Sequence, residues 1–317
     1  GAERAALADA KGAPLLFEAA VMGGTPAVKM VREAMVGDEV KSVAGILNGT
    51  CNYILSEMDA GGRSFADVLA EAQRLGYAEA DPTMDVGGFD AAHKISILAA
   101  LAFGCAPNYA AAEIEGIDQV ALLDIQLAKD LGYKIKLIAS ADRSSEGVLV
   151  RVHPTLVAQN HPLAQAGGAL NALFIEGTRI GRIYIQGPGA GSGPTAAAVA
   201  ADIADVMTKA VRPVFQRPAA SLAPFVPVDP AKTTSRAYLR FLVKDEPGVI
   251  AAVSETLAEA GVSIESFLQK PVENAEGVPI VLTTHAVAEA VLTAAIEQIA
   301  GLPAVLDRPR LLRIARI

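Results

Sequence analysis

The stretch from residue 76 to residue 103 reads GYAEADPTMDVGGFDAAHKISILAALAF. Its first half is acidic and rich in glycine, and its second half is almost entirely apolar. Apolar residues follow Lys94 on every side of a helix, which is typical of a helix buried in a core. We therefore predict an acidic loop over residues 76–88 and a long buried helix over residues 90–103.

Four carboxylates, those of Glu79, Asp81, Asp85 and Asp90, surround a single strongly basic residue, Lys94. Asp90 and Lys94 are four residues apart, so on a helix they project from the same face. A pair of this kind on a surface is worth only about 0.2–0.5 kcal/mol, and Asp90 could simply cap the helix. The apolar surroundings instead favour a pair at the mouth of a buried helix, suited to proton transfer with a substrate oxygen.

The excess of carboxylates beside one lysine indicates a cationic ligand, either a substrate ammonium group or a metal ion. The spacing of Glu79, Asp81 and Asp85 does not match an EF-hand loop, which argues against a dedicated calcium site. Asp81 followed by Pro82 is also typical of an ordinary turn.

Composition narrows the class of protein. The 317 residues are 52% apolar and 20% charged, which excludes a disordered chain and supplies a buried core. The net charge of −8 gives no electrostatic footprint for nucleic acid. No apolar run reaches the roughly 20 residues of a membrane helix. Two cysteines cannot form a disulfide framework, so we expect a cytoplasmic, reducing location.

Periodicity divides the chain into two parts. In the first part we predict helices over residues 2–11, 28–35, 51–58, 64–75 and 196–209. We predict strands there over residues 15–21, 40–47, 134–141, 148–153, 172–177 and 181–186. Five prolines between residues 213 and 230 then predict a semi-rigid linker. Beyond it, strands over 236–243, 262–270 and 278–284, helices over 249–260 and 287–300, and a strand after Pro303 give a ferredoxin-like βαββαβ order.

The segment GPGAGSGPT, residues 187–195, joins a predicted strand to a predicted helix. Glycines let a ligand approach the backbone, and a helix N-terminus favours negative charge. The match to a dinucleotide fingerprint is weak, since no acidic residue ends a following strand about 20 residues later. The segment is therefore either a secondary cofactor contact or a closely packed turn.

Together these residues resemble the homoserine dehydrogenase family, in its bacterial form with a C-terminal ACT domain. The resemblance spans nearly the whole chain. Its most specific part is Glu79-x-Asp-Pro followed by Asp85-x-x-Gly-x-Asp-x-x-x-Lys94, and further matches are LFEAAV with two glycines (16–24), GILNGTCNYIL (45–55) and GPGAG with Pro-Thr (187–195).

The resemblance implies NAD- or NADP-dependent interconversion of L-aspartate 4-semialdehyde and L-homoserine, in threonine and methionine biosynthesis. Lys94 corresponds to the lysine that polarises the aldehyde and relays its proton, and Asp90 to its orienting partner. The implied substrate contacts are Glu79, Asp85, Gly49 and Thr50. The implied contacts near the nicotinamide are Gly187, Gly189, Ala190 and Gly191. A structural Na⁺ or K⁺ site is implied at the Glu18 side chain and the backbone near Val21, Gly23 and Thr25.

The resemblance also bears on the first residues. The chain begins at Gly1 without methionine, and its first helix has no N-cap residue. Family members carry an N-terminal Rossmann segment with a second catalytic lysine before this point. We therefore expect a fragment that lacks this segment and that can be inactive by itself.

The implied fold class is α/β: a catalytic domain with a mixed sheet and the tail end of a Rossmann-type domain, then a ferredoxin-like ACT domain. The expected units are a remnant of the nucleotide-binding domain (1–22), a catalytic and dimerisation domain (23–186), a segment returning to the nucleotide site (187–211), a proline-rich linker (212–235) and the ACT domain (236–317).

The ACT resemblance rests on the turn Asp245-Glu-Pro-Gly248-Val. Gly248 there allows backbone contact with a small amino acid, which implies threonine as an effector, although one ACT copy could simply support a homodimer or homotetramer. Two alternatives remain at this point: a non-catalytic amino-acid sensor with an ACT domain, and a related amino-acid semialdehyde dehydrogenase. The intact set from Glu79 to Lys94 argues against the first.

Overall fold

A computed structural model of the protein describes residues 2–269 and 277–316. The strands in these ranges are β1 (Val40–Ile46), β2 (Glu113–Ile114), β3 (Tyr133–Ser144), β4 (Gly147–Ala158), β5 (Leu170–Gly177), β6 (Arg182–Pro188), β7 (Thr234–Val243), β8 (Ile264–Gln269), β9 (Val278–Thr284), β10 (Val287–Ala288) and β11 (Arg310–Ile314). The mixed α/β fold predicted from the sequence is confirmed.

The helices are α1 (Ala2–Lys11), α2 (Ala27–Lys29), α3 (Gly49–Gly61), α4 (Phe65–Arg74), α5 (Thr83–Val86), α6 (Phe89–Phe103), α7 (Leu122–Asp130), α8 (Pro162–Gln165), α9 (Ser192–Met207), α10 (Val249–Glu259) and α11 (Glu289–Ala300). Helix α2 continues as a π-helical turn over Met30–Ala34. Within the described ranges, none of the helices has the length and apolarity needed to cross a membrane.

One continuous sheet runs through both parts of the chain, in the order β6-β5-β1-β3-β4-β11-β7-β9-β8. The order β11-β7-β9-β8 is that of a ferredoxin-like unit, and its connections match the predicted βαββαβ order. Strand β11 pairs in parallel with β4, so the edge of this unit continues the sheet of the first part of the chain. Helices α3, α6 and α7 pack on the strands of that first part.

The predicted buried helix after the acidic loop is confirmed as α6. Ile95, Leu98 and Leu101 lie in the main core, and Gly104, in the left-handed conformation, ends the helix. Helix α4 begins as predicted: the Ser64 side chain accepts a hydrogen bond from the amide of Asp67.

The predicted strand over residues 15–21 is wrong. Residues Glu18–Ala20 form a 3₁₀ turn, because the Glu18 side chain turns inward to cap the following helix. Helix α7 was not predicted, since the sequence before it carries no N-cap side chain. The predicted strand over 262–270 is found as β8, and its last residue lies outside the described residues.

The proline-rich segment packs against the first part of the chain. Val214 and Phe215 are buried in the main core, and Ala223 and Pro227 form isolated bridges with Cys105 and Val148. These contacts hold the segment against the core, so it is not an independent linker.

Candidate active site

Asn48 lies where β1 ends and α3 begins. Its side-chain oxygen accepts a hydrogen bond from the Cys51 amide at 2.9 Å, which makes it the N-cap of α3. Its side-chain nitrogen donates to Asp85 Oδ1 at 2.7 Å and to Asp90 Oδ2 at 2.9 Å. One buried amide therefore joins the helix terminus to both carboxylates. In the sequence, Asn48 stood out only as part of the matched segment over residues 45–55.

Lys94 meets Asp90 as the four-residue spacing predicted. Its ammonium donates to Asp90 Oδ2 at 2.7 Å and to the carbonyl of Leu47 at 3.1 Å. The two side chains are 20% and 30% exposed, so the pair is partly buried but open to a ligand. Among the described residues these are the two partners of the ammonium, which leaves a third N–H to meet a substrate oxygen.

Asp85 lies on the single turn of α5 and is half-buried. Burial raises the pKa of its carboxyl above the ordinary value, the hydrogen bond from Asn48 opposes this, and the charge of Asp90 adds to it. The buried Cys51 thiol donates to the Asp85 carbonyl at 3.1 Å, which holds the turn against α3. Burial thus destabilises the ionised form of Asp85, and a cationic ligand beside the carboxylate would stabilise it.

Glu79 and Thr50 lie at the outer rim. Glu79 is exposed, and its carbonyl accepts a hydrogen bond from Gln73. Thr50 Oγ1 donates to the Tyr77 carbonyl at 2.6 Å, which fixes the loop that carries Glu79. The turn interpretation of Asp81 is confirmed, since its carboxylate accepts hydrogen bonds from the amide and hydroxyl of Thr83.

The glycine-rich turn before α9 packs closely against residues 22–25. A Cβ atom at Gly23 would lie 2.6 Å from the Gly189 carbonyl oxygen. One at Gly187 would lie 2.3 Å from Thr25 Oγ1. Gly23 therefore permits a backbone-to-backbone contact, and Gly187 leaves room for the Thr25 side chain, where larger residues would prevent both contacts.

Asn171, on β5, lies between the first turn of α3 and the glycine-rich turn. It is 1% exposed, and among the described residues neither its side-chain oxygen nor its nitrogen has a hydrogen-bond partner. A Cβ atom at Gly189 would lie 2.2 Å from its side chain, and one at Gly49 would lie 3.4 Å from its Oδ1. The first turn of α3 and the glycine-rich turn thus meet at one buried side-chain amide, which no sequence pattern singles out.

The Glu18 carboxylate is buried and has clear partners. Its two oxygens accept hydrogen bonds from the amides of Val28 and Lys29, at 3.0 and 2.9 Å. Its own amide donates to Asp202. Burial raises the pKa of this carboxyl, against the two amide hydrogen bonds. In the described ranges, no group of three or more His, Cys, Asp or Glu side chains is arranged to hold a metal ion.

Gly248 lies at the start of α10, in the ferredoxin-like unit. Its φ of 90° is in the left-handed region, and the space where a Cβ atom would lie is open. The backbone of this turn is therefore accessible.

Comparison with known proteins identifies the family. The homoserine dehydrogenase family model matches residues 26–204, and the ACT domain model matches residues 237–304. Homoserine dehydrogenase of Pseudomonas aeruginosa is 44% identical over 314 residues, covering 96% of this chain and 72% of that protein.

Two solved structures extend this result. A homoserine dehydrogenase from Thiobacillus denitrificans matches with a TM-score of 0.93 at 43% identity, over 99% of this chain and 73% of that one. A hyperthermophilic archaeal homoserine dehydrogenase in complex with NADPH matches with a TM-score of 0.58 at 30% identity, over 66% of this chain and 60% of that one. The chain belongs to the homoserine dehydrogenase family.

Proposed function

We propose that Lys94 and Asp90 form the proton-transfer pair with which this chain, as a homoserine dehydrogenase, interconverts L-aspartate 4-semialdehyde and L-homoserine. The nicotinamide cofactor, when bound, supplies or accepts the hydride at the carbonyl carbon. Lys94 holds the substrate oxygen and gives it a proton during reduction, or takes the proton during oxidation. The observation that carries the proposal is the network in which Asn48 joins Asp85 and Asp90 beside the ammonium.

The same proposal assigns the substrate's charged end. Asp85 and Glu79 provide negative charge beside the pair, and the ionised Asp85 carboxyl is destabilised by burial. An ammonium group on the substrate would offset that cost, because opposite charges stabilise each other in a partly buried site. Gly49 and Thr50, at the first turn of α3, complete the pocket. A non-catalytic sensor would have no need of this set.

A substrate analogue tests the assignment. We expect the full-length enzyme to oxidise L-homoserine. The analogue 4-hydroxybutyrate lacks the ammonium group that homoserine carries next to its carboxylate, and we expect its kcat/KM to be about 100-fold lower or more. Equal kcat/KM for the two alcohols, measured by reduction of the cofactor, would remove Asp85 and Glu79 from substrate recognition.

For the cofactor we propose NAD or NADP, with Gly187, Gly189, Ala190 and Gly191 near the nicotinamide. The residues present fit such a group, since the turn before α9 has glycine at positions 187, 189 and 191 and lies against the Asn171 side chain, whose polar atoms have no partner among the described residues. The hyperthermophilic relative bound to NADPH supports the assignment.

We propose the structural Na⁺ or K⁺ site at Glu18 with the backbone near Val21, Gly23 and Thr25. A buried carboxylate whose two oxygens each accept one amide hydrogen bond still has lone pairs for a cation. Replacing both ions with tetramethylammonium should lower the melting temperature of the wild type but not of a Glu18→Ala variant. The same fall in both proteins would contradict the site.

We propose that the functional units follow the boundaries expected from the sequence, with residues 23–186 as the catalytic and dimerisation domain of a homodimer or homotetramer.

We further propose that threonine binds the ACT domain at Gly248. In calorimetric titrations of the full-length enzyme, Gly248→Val should abolish threonine binding. Gly261→Val, which changes a glycine of similar conformation at the other end of α10, should retain it. Absence of binding to the wild type would leave the ACT domain a structural role.

A further inference from the structure

Lys136, on β3, is a buried lysine. It is 3% exposed, and among the residues that the structure describes no carboxylate lies within ion-pair distance of its ammonium. A charge in such a place is costly unless hydrogen bonds hold it. Lys134 on its own strand and Asp59 on α3 act on its charge, Glu57 of α3 lines the same cavity, and Lys129 of α7 pairs with Asp59.

Three neutral acceptors from other segments hold this ammonium. It donates to Asn52 Oδ1 and to the Ala166 carbonyl, each at 2.8 Å, and to Ser56 Oγ at 3.4 Å. Burial, with a smaller effect from Lys134, lowers the pKa of Lys136 to about 8. Burial therefore disfavours the charged form of Lys136, and these three hydrogen bonds offset part of the desolvation cost.

Asn52 extends the contact along one loop. Its side-chain nitrogen donates to the carbonyls of Ala166 and Leu170, at 3.0 and 2.9 Å. Lys136 and Asn52 together therefore fix both ends of residues 166–170 against α3.

The loop over residues 166–170 contacts the first turn of α3 and leads directly to a residue that contacts the glycine-rich turn. A Cβ atom at Gly49 would lie 2.7 Å from the Ala169 carbonyl oxygen, so the loop backbone lies directly on the first turn of α3. The next residue after the loop, Asn171, lies against Gly189. A shift of the loop would move Gly49 relative to the glycine-rich turn.

We propose that Lys136 is a positioning residue for the homoserine dehydrogenase reaction: with Asn52 it fixes the loop over residues 166–170, and that loop sets the spacing between Gly49 and Gly189. The inference rests on the substrate and cofactor sites proposed above. Lys136 touches neither ligand; it acts through Asn52, Ala169 and Asn171.

Steady-state kinetics of three variants of the full-length enzyme test this role. Lys136→Met removes the ammonium. Asn52→Asp keeps an acceptor for Lys136 but removes both donors to the loop. Both should raise the KM for homoserine about tenfold and change kcat by less than about threefold, because the turns are displaced while the proton-transfer pair is intact. Ser56→Ala, which loses a contact to the same ammonium but none to the loop, should retain the wild-type KM.

Melting temperatures separate positioning from folding. If Lys136→Met does not fold, Asn52→Asp decides the question. Folded variants with lower melting temperatures but wild-type KM would overturn the proposal, and so would an equal rise of KM in Ser56→Ala. A wild type that does not oxidise homoserine would instead contradict the proposed function itself.

Discussion

Asn48 shows how one side chain can assemble a site from three segments. Its amide reaches Asp85 and Asp90, which lie 37 and 42 residues further along the chain, while its oxygen caps α3. Two carboxylates side by side repel each other, and the shared amide donor offsets part of that repulsion. The amide thereby holds the two carboxylates of the proposed substrate site close together.

Asp85 carries a trade-off between stability and binding. Since burial raises the pKa of its carboxyl above the ordinary value of 3.8, the ionised form costs stability, and the cost grows as pH rises through the raised pKa. Asp85→Asn should therefore be more stable than the wild type at neutral pH, with a gap that shrinks under mildly acidic conditions, and should have a higher KM for homoserine. Urea unfolding at several pH values measures the gap. A less stable variant at neutral pH would contradict this account.

The sequence predicted part of this arrangement. The pair of Asp90 and Lys94 followed from helical spacing, because its partners are four residues apart. Asn48 and Asn171 could not be predicted, since their roles depend on contacts between residues far apart in the chain. A buried asparagine before a helix reads as an ordinary N-cap until its second contact is known.

At the level of elements, the glycine-rich turn is constrained by close packing. Gly189→Ala should force the turn away from Asn171, because the added Cβ atom would lie 2.2 Å from that side chain. We expect the dissociation constant of the cofactor to rise about tenfold or more, measured by fluorescence titration of the full-length enzyme. Gly193→Ala, where the added atom meets nothing within 4 Å, is the matched control and should bind normally. Equal affinity in both variants would separate the turn from cofactor binding.

Periodicity predicted the elements whose faces differ in polarity. Helices α1 and α4 and the strands of the ferredoxin-like unit were found because their apolar spacing is regular. The run over residues 15–21 failed because a short apolar run fits a strand or an irregular buried segment equally well. The structure there is decided by tertiary hydrogen bonds, which the Glu18 carboxylate accepts from the amides of Val28 and Lys29 in α2.

At the level of the whole molecule, a buried polar contact joins the ACT domain to the part of the chain that matches the homoserine dehydrogenase family model. Asp124 of α7 is fully buried and accepts hydrogen bonds from Arg240 Nε at 2.6 Å and from the Tyr238 hydroxyl at 3.1 Å. Both partners lie on β7. The parallel pairing of β4 with β11 reinforces this joint. The βαββαβ order was predictable from the sequence, but this fusion of two sheets was not.

Asp124→Asn tests the strength of the joint. It would leave the largely buried Arg240 without its charge partner, and we expect a loss of about 3 kcal/mol in the free energy of unfolding. Glu297→Gln removes an exposed pair with Arg308 and should cost less than about 0.5 kcal/mol. Urea unfolding measures both. A loss of under about 1 kcal/mol for Asp124→Asn would mean that the contact adds little to the joint.

The central claim, that Lys94 transfers the proton, is tested most directly by one comparison of turnover. Homoserine-dependent reduction of the cofactor is measured with the full-length wild type, with Lys94→Ala and with Lys41→Ala, which changes an exposed lysine of β1. We predict a fall in kcat of about 100-fold or more for Lys94→Ala, with its melting temperature and circular dichroism retained, and no change for Lys41→Ala. A folded Lys94→Ala enzyme that keeps most of its kcat would contradict the account.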